Sequence, residues 1–70
     1  MTQDYSQAIA WYSRAAEQGY AIAQINLGAY YYMRGTEEDK SRGIEYFKMA
    51  ARQGDEVAKE FLAKLGVDNW

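Results

Sequence analysis

The chain has 70 residues, a formal net charge of −2, and no cysteine, histidine or proline. That length bounds it to one small domain, and without cysteine no disulfide or thiolate metal site can staple it. Without histidine the usual general base, metal ligand and pH switch are all missing, and the slight negative charge gives no long-range attraction to nucleic acid or an anionic membrane.

The opening MTQDYSQ has no basic segment leading into an apolar core, so no signal peptide is expected, and no apolar run approaches the ~18 residues that would span a bilayer. A complete chain is expected in the cytoplasm; for a piece of a longer protein the location cannot be read. A first helix, about residues 4–18, is predicted from Tyr5, Ala8, Ile9, Tyr12, Ala15 and Ala16, which fall on one stripe of an α-helix. Gly19 closes it, and a second helix follows over about 21–34, closed by Gly35. TEED then introduces a third helix, about 37–53, with Thr36 as cap and Asp39 answering as the fourth residue of a capping box. Its stripe is Gly43, Ile44, Phe47, Ala50 and Ala51, ending at Gly54. A fourth helix, about 56–65, ends at Gly66 before the tail VDNW. The links are short, so consecutive helices lie antiparallel. Nothing reads as a strand.

Gly19 and Gly54 stand about 35 residues apart, inside the range that marks a solenoid repeat. At that offset Asp4 meets Asp39, Ser6 meets Ser41 and Ile9 meets Ile44. AAEQG meets AARQG, Ala23 meets Ala58, Leu27 meets Leu62, and the pair Trp11–Tyr12 meets Tyr46–Phe47. Alanines at 15, 16, 50 and 51 let helix axes approach closely while the aromatic pair one turn earlier fills wider space, and Gly43, at the position of Ala8, also permits close contact.

These blocks resemble the Sel-one-like repeat, a relative of the tetratricopeptide repeat. AIAQINLGAYY (21–31) is similar to the first part of the family pattern, and DYSQAIAWYSRAAEQG (4–19) and DKSRGIEYFKMAARQG (39–54) to the second. The chain departs in its loop, which carries one glycine where the family has two, and in its last helix, where Ala63 and Gly66 stand in place of the glycine and tyrosine. In family phase one complete repeat, about 21–54, is flanked by half repeats, making a single domain over 1–70. The resemblance implies an all-α fold of four antiparallel helices in a right-handed α/α superhelix of tetratricopeptide type. It also implies a non-enzymatic adaptor or scaffold with no catalytic residue, metal or cofactor.

Three successive tyrosines on a helix fan out by ~100° each and cannot face one way. Ala23, Leu27 and Tyr31 share the stripe toward the partner helices, so Tyr31 is expected in the core, with Tyr30 partly packed on the remaining side. Ile22, Ile25, Ala29 and Tyr32 form a second apolar stripe. Two readings of it stand open. It packs against the flanking helices, or, as in the related tetratricopeptide arrangement, it lines a concave groove to which Val57, Glu60 and Lys64 contribute by the repeat offset.

Lys48 and Arg52 make a small basic spot opposed by Glu45, which a solvated face explains; Glu37, Glu38 and Asp39 suit a helix start. Val67 and Trp70 are expected to fold back partly over the end of the stack. The function expected is binding of a protein or peptide on the concave face. The alternative is a structural unit that self-associates as a homodimer or end to end, or a part of a longer repeat protein. Ser6, Ser13 and Ser41 have no histidine to activate them, and the basic residues form no stripe, so neither catalysis nor nucleic-acid binding is expected.

Overall fold

The computed structural model describes residues 5–68 and 70, with side chains from Gln7 onward. Expectations resting on Asp4 and on the side chains of Tyr5 and Ser6 lie outside the described residues. Four helices form: α1 (Tyr5–Glu17), α2 (Ala21–Arg34), α3 (Glu37–Arg52) and α4 (Glu56–Lys64). No strand occurs among the described residues. Each helix packs on the next in chain order, and α2 against α3 is the most extensive contact.

The turns follow from backbone bookkeeping. A helix leaves its last carbonyls unpaired, and a residue at positive φ lets the chain double back and satisfy them. After α3, Gly54 at φ 94° donates its N–H to the Ala51 carbonyl and Asp55 donates to that of Ala50. The same two bonds recur after α1, from Gly19 to Ala16 and Tyr20 to Ala15, and after α4, from Gly66 to Ala63 and Val67 to Leu62. The last of these turns lays Val67 against the core. Trp70 is half-exposed, with the Lys59 ammonium 5.9 Å from its ring centre.

The core is built mostly from small side chains. Ala16, Ala23, Ala50, Ala51 and Ala58 are buried, and the only large side chains fully buried among the described residues are Leu27, Phe47 and Leu62. Alanine brings little area, so the helices must come close to exclude water. They do so at Gly28 and Gly43. A Cβ on Gly43 would lie 2.5 Å from the Gly28 carbonyl oxygen and 2.9 Å from the Tyr32 nitrogen. A Cβ on Gly28 would lie 2.9 Å from the Gly43 carbonyl oxygen and 3.1 Å from the Phe47 ring. Phe47 fills the space beside this crossing and is covered by Phe61, its ring parallel at 5.0 Å.

The paired positions share environments where the packing is the same. Ala16 and Ala51, Ala23 and Ala58, and Leu27 and Leu62 are all buried. Tyr12 and Phe47 differ, at 38% and 1% exposure, because α3 packs extensively on both α2 and α4, whose Phe61 covers Phe47, whereas the main contact of α1 is with α2.

Among the described residues one polar side chain is buried, Gln24. Its Nε2 donates to the Ala16 carbonyl at 3.1 Å, and its Oε1 accepts from Gln53 Nε2 at 2.9 Å. The ends of α1 and α3 are therefore pinned to the first turn of α2.

The α2–α3 loop corrects one expectation. Thr36 Oγ1 accepts from the Asp39 N–H at 3.1 Å, as a cap should. The Asp39 carboxylate accepts from Arg34 Nε at 3.0 Å and is hydrogen-bonded with the Thr36 side chain, and no bond from the Thr36 N–H closes a capping box among the described residues. Hydrogen bonding with Thr36 is the largest effect on this carboxyl, desolvation opposes it, and Arg34 reinforces it, so its pKa lies below the ordinary value. Arg34 also donates from Nη1 to the hydroxyl of the half-buried Tyr30 at 3.0 Å.

Three outcomes are expected. Gly43→Ala should lower stability in urea unfolding by about 1–3 kcal/mol, the overpacking cost outweighing alanine's helix advantage of ~1 kcal/mol. Gln24→Leu, nearly equal in volume, should cost about 1 kcal/mol by removing the bonds to the Ala16 carbonyl, which keeps the Gly19 N–H, and from Gln53. Asp39→Asn should destabilise at neutral pH. Because the folded pKa is depressed, the stabilisation is present above the unfolded value of about 4 and fades as pH falls through the folded one. Melting curves of variant and wild type should accordingly converge on acidification.

Candidate functional site

The residues of the second stripe do not share one surface. Ile25 and Ala29 pack against the cluster of Phe47, Ala50, Ala51, Ala58 and Leu62, so they help close the core between α2, α3 and α4. Tyr32 is half-buried beside Gly43, with the Lys40 ammonium 5.8 Å from its ring centre. Ile22, 74% exposed, and Val57, 50% exposed, stay open to solvent with Glu60 and Lys64. The middle of the stripe thus packs against the flanking helices, while Ile22 stays exposed at its start.

A different concavity lies between α1 and α3. Where α2 holds these two helices apart, a groove of about 480 Å³ opens. Ser13, Ala16 and Glu17 form the α1 wall, Arg42, Glu45, Tyr46 and Met49 the α3 wall, and Tyr31 of α2 the floor. Tyr31 is half-buried here, less enclosed than its stripe suggested. It stacks on Tyr46 with ring centres 5.9 Å apart and planes within 8°, and meets Tyr30 edge-on at 5.4 Å. The Arg42 guanidinium lies 5.9 Å from the Tyr31 ring centre. Arg42 also faces Glu38 at 3.7 Å and Lys48 faces Glu45 at 3.6 Å, exposed pairs that contribute ~0–1 kcal/mol each.

Both features derive from the repeat. The Gly28–Gly43 contact sets the register in which Tyr31, three residues on, meets Tyr46, three residues on. Both rings are half-buried, packed against Ala16, Ala23 and Leu27 on one side and open to the groove on the other. The groove offers shape, two tyrosine hydroxyls and mixed charge, which suits recognition of a side chain or a short segment. Among the described residues no three acidic side chains converge as metal ligands would. No helix of the described residues is long and apolar enough to cross a membrane.

Ser13, Glu17, Arg42, Glu45 and Met49 were not visible as a group in the sequence. The available signal was indirect: helices one repeat apart lie side by side, so flanks of α1 and α3 must face each other.

The Sel1 repeat profile matches residues 1–20 and 21–55. The chain is similar to a sel1-like repeat-containing protein of Acanthamoeba polyphaga mimivirus, with 36% identity over 69 residues, or 93% of this chain. It spans 12% of that protein's length. No solved structure gave a match. Both matched blocks end at glycine-capped turns, after α1 and after α3, and the chain belongs to the Sel1 repeat family, whose tetratricopeptide-like helical solenoids generally mediate protein–protein interaction.

Proposed function

We propose that this chain is a non-enzymatic interaction module that receives a segment of a partner protein in the groove between α1 and α3. The observation that carries the reading is the open aromatic floor of Tyr31 and Tyr46, flanked by the exposed Met49. Tyrosine and methionine are the residue types that contact surfaces favour, since they supply area with little rotamer entropy to lose or adapt to irregular partners. The volume, about 480 Å³, lies in the range of sites that hold a few side chains.

A second surface is supported by Ile22 and Val57, two exposed aliphatic side chains at equivalent positions of α2 and α4, with Glu60 and Lys64 nearby. End-to-end self-association draws less support from the same helix. Glu60 and Lys64 occupy on α4 the repeat positions that Ile25 and Ala29 use to pack on α2, so a helix stacked there would meet charge instead of aliphatic surface.

Peptides selected against the chain from a random display library test the assignment. Met49→Asp is expected to weaken their binding at least about tenfold (on the order of 1.4 kcal/mol) while Ile22→Asp leaves it within a factor of two or so. The reverse pattern would move the contact surface to α2 and α4.

A further inference from the structure

We infer that the α1–α3 groove takes a cationic side chain, a lysine or arginine of the partner, laid over its tyrosines between Glu17 and Glu45. The inference rests on that groove being the contact surface and adds the chemistry of what enters it.

The walls carry the argument. Glu17 on α1 makes no ion pair among the described residues. Glu45 on α3 is exposed and meets its one partner, Lys48, at 3.6 Å, too loose to neutralise it. Two carboxylates thus border an apolar floor from opposite helices. The one cation of the lining, Arg42, pairs with Glu38 at 3.7 Å and lies over the Tyr31 ring. Its guanidinium, 5.9 Å from that ring centre, shows that this floor accepts a cation over a tyrosine face. Tyr46, stacked beside Tyr31, has no such cation among the described residues.

A lysine or arginine fits the remaining features. Its methylene stem can lie along Ala16 and Met49 while its charged head reaches the carboxylates at the rim. An acidic segment would face both carboxylates on a chain that is itself at −2. A purely aliphatic segment would cover Glu17 and Glu45 without compensating them.

The test is an amide-resolved NMR titration of the intact chain with blocked tripeptides Leu-Arg-Leu, Leu-Gln-Leu and Leu-Glu-Leu at low salt. Leu-Arg-Leu should shift the amides of Glu17, Tyr31, Glu45 and Tyr46 and saturate about tenfold earlier than Leu-Gln-Leu, an advantage that high salt erodes. The double substitution Glu17→Gln, Glu45→Gln lies on exposed faces and should keep its circular dichroism while binding the arginine and glutamine peptides alike. Equal binding of those two peptides by the wild-type groove would overturn the cation inference and leave the groove reading standing. Preference for Leu-Glu-Leu would overturn it as well. Shifts centred on Ile22 and Val57, or none in the groove with any peptide, would remove both.

Discussion

Gly28 and Gly43 meet backbone to backbone, and most of the molecule is arranged around that meeting. Neither position has room for a Cβ without pressing on the opposite helix's carbonyl oxygen. Two glycines inside helices cost ~1 kcal/mol each in helix propensity, a large amount for a chain of this size. The return is proximity. With the α2 and α3 backbones in contact, alanines can exclude water that would otherwise require longer side chains, and Phe47 finds a slot beside the crossing. Beside the same crossing Tyr31 stacks on Tyr46.

A core of alanines gives little directional information, and Gln24 supplies some. Its amide reaches the Ala16 carbonyl on one side and Gln53 on the other, so α1 and α3 are both referenced to one side chain of α2. A buried amide with both ends satisfied specifies register in a way that interchangeable methyl groups do not. At the corresponding position of α4 stands Lys59, which pairs with Glu56 at 3.6 Å and lies over Trp70. No such pin is seen there among the described residues, and Val67 of the tail packs against the core instead.

The surface follows from how the apolar residues are spent. α2 is apolar over most of its circumference, and α3 claims Ile25 and Ala29 as well as the side that packs on α1. What remains uncovered on α2 is Ile22 near its start, Met33 near its end and the tyrosine floor. The floor differs from the other two in having walls with charges of both signs. That distinction separates a place with chemical preference from a merely exposed aliphatic side chain.

Four helices, their glycine-closed ends and the repeat that pairs Leu27 with Leu62 were legible in the chain itself. Helical stripes and positive-φ caps are local properties, expressed within a few residues. The packing role of Gly43 was legible too, because a glycine inside a strong helical stripe calls for a steric reason. The surface was not. Ile22, Ile25, Ala29 and Tyr32 fall on one stripe in sequence, yet the packing of the later helices against α2 half-covers Ile25, Ala29 and Tyr32 and leaves Ile22 free. The turn of Asp39 toward Arg34, and the groove joining Ser13 and Glu17 to Glu45 and Tyr46, likewise depend on where separate helices end up in space. Periodicity states which residues share a helix face; the distance and angle at which two helices cross, here governed by a backbone contact between glycines, decide which of those faces meet water.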